Sequence, residues 1–361
     1  MSEIYRQTWA EVNLDNLVDN YQNIKLLMGN KTIIPVIKAN AYGHGDIKVM
    51  ERLYKEGVRI CAVSLLEEAI KIRKRFPDII IIMLGPVLEN DLKVCSSKEI
   101  DITIYNQEIY NLIINFEGKL NCQFKVDTGM SRYGIKDFDL VVRMVNTLMS
   151  KTNINLRGIY THFATAEDNK EFYNKQVKMM QLVLSKLKKV PSMVHMSNSA
   201  SILQYEKDFD FTTHVRLGIS LYGSLPIVSE FKLKPVMKLY SKIVQIKKLT
   251  QGDSLGYGIT YRPKKDVYIA IIPIGYADGL WKAYKRGYVE IKGKKYKIVG
   301  TICMGACFIK VNEEIKVGDI VTIFGGLISI EEMGLILKTN SYEVLTAISY
   351  RVPRVYREEK K

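Results

Sequence analysis

Eight short apolar runs recur between Ile33 and Gly218, separated by stretches whose apolar positions fall at helical spacing, and this alternation constrains the fold more than any other feature. The first run, I-I-P-V-I, starts at Ile33 and ends against Lys38; the others span 60–64, 79–85, 102–105, 122–127, 156–163, 193–197 and 215–218. They are too short for core helices and too uniformly apolar for strands with one wet face, so they read as strands buried on both sides. Amphipathic patterns such as Leu14–Met28, E-E-A-I-K-I-R-K-R-F and 139–149 accompany them. Alternation of this kind argues for a parallel sheet. Eight strand–helix units in about 220 residues fit an α/β fold, a (β/α)8 barrel of TIM type, with its site at the carboxyl ends of the strands.

Beyond Pro235 the helical spacing fades. Short alternating runs with glycine turns take over in K-I-V-Q-I-K-K-L, V-Y-I-A-I-I-P-I, Y-V-E-I-K-G-K-K-Y-K-I-V-G and D-I-V-T-I-F-G-G, the pattern of an antiparallel β domain. We therefore expect a barrel over 1–235 and a β domain over 236–361, with the first ten or so residues packing on the latter. No low-complexity linker separates the two.

Composition narrows the classes of function. The net charge of +15 is spread along the chain in scattered pairs, which argues against a nucleic-acid surface and suits anionic small molecules. No run of about 18 apolar residues is present and the N-terminus has no apolar leader, so a cytoplasmic protein without a membrane partner is expected. The five cysteines make no C-x-x-C and have no histidine at metal spacing; they read as reduced thiols, and no metal centre is expected.

Chemistry-bearing residues gather at the expected strand ends. Lys38 closes the first apolar run, where an unpaired ammonium is costly, and A-N-A-Y-G-H-G follows it as a ligand loop containing Tyr42. The fifth run ends in K-V-D-T-G-M-S-R-Y-G with Lys125 and Arg132, the sixth in Y-T-H-F with His162, the seventh in H-M-S-N-S with Asn198 and Ser199. The eighth gives R-L-G-I-S with Arg216, Gly218 and Ile219. Loops after strands seven and eight of such barrels commonly bind phosphate through backbone N–H groups and hydroxyls.

These motifs, with P-V-I-K-A-N-A-Y-G-H-G foremost, closely resemble the alanine racemase family over nearly the whole chain. The resemblance implies pyridoxal 5′-phosphate (PLP) bound as a Schiff base to Lys38. It implies a phosphate held by Tyr42, Ser199, Gly218, Ile219 and Tyr350, Asn198 as a further cofactor-binding residue, and a ring nitrogen facing Arg216 with His162 orienting that arginine. An arginine stays charged and gives up no proton, so it leaves the ring a weaker electron sink, which suits moving one α-proton. Arg132 and a Lys125 that is often carbamylated in the family would set the substrate carboxylate, with Tyr276 and Met304 at the entrance. Tyr257, between glycines in S-L-G-Y-G-I-T-Y, matches the second acid/base, which reaches the site of the partner subunit in a homodimer. His44, His195 and His214 are given structural roles. Gly305 departs from the family's usual Asp in I-C-M-D, which loosens the expectation for that rim.

The expected activity is the interconversion of L- and D-alanine by two bases. A serine or broad-specificity racemase is the alternative within the family. An amino-acid decarboxylase would place an acid, not Arg216, at the ring nitrogen, and a non-catalytic PLP-binding barrel would need neither Tyr257 nor the second domain.

Overall fold

The structure, a computed structural model, describes residues 5–205 and 210–358. After β1 (Thr8–Asn13) comes the barrel: β2 (Thr32–Pro35), β3 (Ile60–Val63), β4 (Ile80–Met83), β5 (Ile100–Ile104), β6 (Leu120–Lys125), β7 (Ile154–Tyr160), β8 (Met193–His195) and β9 (His214–Leu217). These eight pair in parallel in the order β2-β9-β8-β7-β6-β5-β4-β3. A parallel bridge from Val36 to Ala62 joins the two ends, with the Ile37 N–H donating to the Ala62 carbonyl at 2.9 Å. Helices return the chain between strands, and side chains that accept from first-turn N–H groups start them: Asn13 for Leu14–Met28, Asp137 for Phe138–Ser150, Asn169 for Lys170–Ser185.

The apolar runs are strands because both of their faces are covered. Ile81, Ile82, Met83, Ile102 and Ile104 are fully buried. The barrel interior is not wholly apolar, however: Asp101, Thr103, Gln123 and His195 are also without exposed surface.

The second sheet contains β10 (Met237–Lys242), β11 (Gln245–Leu249), β12 (Val267–Ile272), β13 (Tyr288–Ile291), β14 (Lys294–Val299), β15 (Cys307–Val311), β16 (Ile320–Phe324) and β17 (Arg354–Arg357). Its order is β11-β12-β15-β14-β13-β16-β10-β1-β17, so the N-terminal strand lies inside it, antiparallel to β10 and parallel to β17. The run K-I-V-Q-I-K-K-L is two strands rather than one. It changes partner in the middle, the Ile243 N–H bonding to Asp319 beside β16 and the Val244 N–H to Ile271 in β12. Two helices, Ile330–Leu337 and Ser341–Thr346, interrupt the β pattern. The second packs on the Lys38 loop, where Gly43 is required: a Cβ there would stand 2.5 Å from the Leu345 carbonyl oxygen.

Candidate active site

At the carboxyl end of the barrel a cavity of about 650 Å³ is lined by Lys38, Tyr42, Lys125, Arg132, His162, Asn198, Ser199, Arg216, Gly218 and Ile219, together with Tyr342 and Thr346 of the last helix. The size suits a small cofactor with its substrate.

Lys38 does not sit in the strand. β2 stops at Pro35, and Lys38 begins a turn in which Ala39, Asn40, Ala41 and Tyr42 all have φ between 52° and 55°. Left-handed backbone costs about 1–2 kcal/mol per non-glycine residue, so neighbours must hold it. Glu68 accepts the Ala39 N–H at 2.6 Å and also binds the N–H groups of Ser64 and Leu65. His44 donates from Nδ1 to the carbonyls of Ala41 and Tyr42, and Arg354 donates to that of Gly43. The result points Lys38 and Tyr42 into one cavity. Burial, then Arg132, push the Lys38 ammonium below its ordinary pKa, while Glu68 opposes them. That favours the neutral amine a nucleophile needs.

Arg216, on β9, is 3% exposed and held from four directions. Its Nη2 donates to the carbonyls of Thr161 and Met196 and to His162 Nδ1 at 3.0 Å, and its Nη1 lies 2.6 Å from His195 Nδ1. The guanidinium stands 5.2 Å from the centre of the Tyr160 ring. Burial lowers its pKa to about 10, which leaves it charged at neutral pH. Burial and the adjacent Arg216 drive both histidines well below their ordinary pKa, so they are neutral acceptors. His162 lies where expected; His195, read as structural, was missed, since an isolated buried histidine carries no signal of its partner.

The other end of the cavity is a cradle for an anion. The Ser199 hydroxyl accepts from the N–H groups of Gly218 and Ser220 at 3.1 and 3.2 Å, keeping its own proton to donate. Gly218 leaves space that a Cβ would fill, 3.1 Å from the Tyr42 hydroxyl and 3.5 Å from Ser199 Oγ. Asn198 caps the helix Ser199–Gln204 through the Ser201 N–H. Tyr350 is not part of this cradle: it is 94% exposed, because the chain after the helix Ser341–Thr346 turns outward there. The tyrosine at the cavity is Tyr342, its ring 6.1 Å from that of Tyr42.

Four cations, Lys38, Lys125, Arg132 and Arg216, face this cavity against one carboxylate, Glu167. Burial, Arg216 and Arg132 together pull Lys125 down to about 7. A phosphate at the cradle and a ring nitrogen at Arg216 would meet donors at both ends, so the residues present fit PLP, and the excess positive charge fits an anionic cofactor and a carboxylate substrate. Asp127 shapes the loop between Lys125 and Arg132 by accepting the N–H groups of Gly129 and Ser131.

Tyr257, Tyr276 and Met304 do not line the cavity of their own chain; they are 75%, 39% and 58% exposed. Tyr257 stands between Gly256 and Gly258, whose φ values of 66° and 71° project it from the surface. The segments of Tyr276 and Met304 are joined, Tyr276 N–H to the Cys303 carbonyl and Ala277 N–H to that of Met304. Gly305 has open space around its Cα. Among the described residues no group of acidic, histidine or cysteine side chains could hold a metal ion.

The family model described as "Alanine racemase, N-terminal domain" matches residues 12–226, and "Alanine racemase, C-terminal domain" matches 236–356. The chain is 36% identical to the alanine racemase of Geobacillus stearothermophilus, over 100% of this chain and 96% of that protein. A solved structure of alanine racemase from Bacillus anthracis with bound L-Ala-P superimposes with a TM-score of 0.92 at 32% identity, covering 100% of this chain and 97% of that one. The histidine racemase of Leuconostoc mesenteroides superimposes with a TM-score of 0.90 at 26% identity, covering 99% of each chain.

Proposed function

Because the chain belongs to the alanine racemase family, we propose that its cavity holds PLP on Lys38 and that its activity, the interconversion of L- and D-alanine, uses two bases, Lys38 and Tyr257 of the partner subunit. The observation that carries the reading is the meeting of Lys38 and Arg216 in one cationic cavity closed at one end by the Ser199–Gly218 cradle.

PLP supplies an electron sink that acidifies the α-hydrogen of an amino acid bound to it. With the cofactor in place, the neutral amine of Lys38 would take or return the α-proton on one face. The phenol of Tyr257 of the partner subunit serves the other face, and two bases on opposite faces invert the centre. Arg216, held by His162 and His195, would donate to the ring nitrogen while keeping its own proton. Tyr42, Tyr342, Ser199 and the Gly218 and Ile219 backbone would hold the phosphate, with Asn198 starting the helix that carries Ser199.

Arg132 takes the substrate carboxylate. Lys125 has the low pKa that addition of its neutral amine to carbon dioxide requires; the carbamate formed, with release of one proton, would pair with Arg132. The exposed Tyr257, Tyr276 and Met304 support a homodimer in which each subunit completes the other's entrance. No helix among the described residues is long and apolar enough to cross a membrane.

Borohydride reduction of the PLP-loaded protein should fix the label on the peptide of Lys38, and kcat/KM for L-alanine should exceed that for L-serine. A label on another lysine rejects the site. A preference for serine rejects alanine as the substrate.

A further inference from the structure

Behind Arg216 a file of polar side chains runs through the barrel interior. His195 Nε2 lies 3.2 Å from Gln123 Oε1, Gln123 Nε2 donates to Asp101 Oδ2 at 2.8 Å, and Arg157 Nη1 donates to Asp101 Oδ1 at 2.8 Å. Asp101, Gln123 and His195 have no exposed surface, so each must be bonded to be tolerated there.

Donor and acceptor accounting leaves one arrangement. An arginine only donates, so His195 Nδ1 accepts from Arg216, and the single proton of the neutral ring sits on Nε2. That N–H needs the Gln123 carbonyl oxygen, which turns the Gln123 amide nitrogen toward a group that accepts, the Asp101 carboxylate. Every bond from Arg216 to Asp101 therefore points the same way. Tyr160 keeps the ring from turning: it stacks on His195 at 4.7 Å and 7°, its own hydroxyl 3.0 Å from Thr103 Oγ1. The file thus ends, two neutral side chains behind Arg216, on a buried carboxylate that is itself paired with Arg157.

We infer that Asp101 and Gln123 are positioning residues for Arg216: they bond the Nε2–H of the His195 tautomer that Arg216 selects, and so fix the imidazole against which the guanidinium is held. Held by His195, His162 and two carbonyls, the guanidinium is fixed in place where Arg216 lines the cavity. The consequence for catalysis rests on the proposed PLP site; the file itself does not.

The test begins with histidine-¹⁵N NMR of the cofactor-free protein, which has four histidines to assign. His195 should show a pyridine-like Nδ1 and a pyrrole-like Nε2 at neutral pH. An imidazolium, or a proton on Nδ1, overturns the inference before any variant is made. Gln123→Met removes the acceptor of the Nε2–H and should then shift the His195 Nε2 signal while Nδ1, still bonded by Arg216, stays pyridine-like; Asp101→Asn, which weakens the acceptor behind Gln123, should shift it the same way by less. With PLP bound, kcat for alanine should fall about tenfold, equivalent to about 1.4 kcal/mol, with KM unchanged. Unchanged His195 signals in both folded variants would reduce the file to core filling and overturn the inference, whatever the activity. Shifted signals in a protein that does not bind PLP would leave the file standing and reject the cofactor site instead.

Discussion

Replacing Tyr342 with phenylalanine removes one hydroxyl from the cavity and leaves the ring beside Tyr42, 6.1 Å away, to pack as before. A hydrogen bond to a charged group is worth about 1.5–3 kcal/mol, and Tyr342 is only partly buried, so the lower part of that range applies. The dissociation constant for PLP should rise about tenfold to thirtyfold. Tyr350→Phe, at a side chain that is 94% exposed, should change it by less than about twofold. Titration of cofactor-free protein followed by visible absorbance measures both. Pyridoxal without its phosphate provides the internal control: Tyr342→Phe should bind it as the unaltered protein does. Equal loss of affinity for PLP and pyridoxal would mean that Tyr342 acts on the ring or the fold. Weakening by Tyr350→Phe with Tyr342→Phe silent would refute the placement of both tyrosines.

Arg216→Glu should lower racemisation and raise side transamination, because a carboxylate stabilises a protonated ring that Arg216 opposes; an unchanged ratio of the two activities would remove Arg216 from the ring nitrogen. Gly218→Ala should weaken PLP more than pyridoxal, since the new methyl lies 3.1 Å from the Tyr42 hydroxyl, inside the cradle; equal effects on the two ligands would place the phosphate elsewhere. Lys125, with a folded pKa of about 7, binds fewer protons folded than unfolded between that value and its ordinary 10.5. Its contribution to stability should therefore rise by up to about 1.4 kcal/mol per pH unit across that window and be lost as pH falls through 7. In bicarbonate-free buffer, Lys125→Met should gain most over the unaltered protein below pH 7, and lose that advantage toward pH 10; a melting-temperature difference that does not vary with pH contradicts the burial of a cation there.

The barrel is legible in the chain because each of its eight strands is an apolar run covered on both faces, and Lys38, Arg216 and the Ser199–Gly218 cradle fall at the ends of those runs. Other parts depend on tertiary contacts that leave no local trace. Ala39 to Tyr42 is a left-handed turn that, Asn40 apart, is made of residues with ordinary right-handed preferences, and it exists because Glu68, His44 and Arg354 hold it. Tyr342 and Tyr350 are eight residues apart, and only the docking of a short helix on that turn decides which of them faces the cavity. His195 needs Arg216 on one side and Gln123 on the other to acquire a role, and those three come from three different strands.

The central claim, that Lys38 works with Tyr257 of the partner subunit, is tested most directly by mixing two inactive variants. Lys38→Ala and Tyr257→Phe homodimers each carry one defect in every site. In a mixed dimer both defects fall in one site and the other keeps an intact pair. Random reassortment makes about half of the dimers mixed, each with one good site, so co-refolding should restore roughly a quarter of the unaltered activity. A mass tag on one variant establishes that subunits have exchanged. Recovery near a quarter is the result the account predicts; complete exchange with no recovery would contradict it, because a tyrosine acting within its own chain leaves every site of the mixed dimer defective.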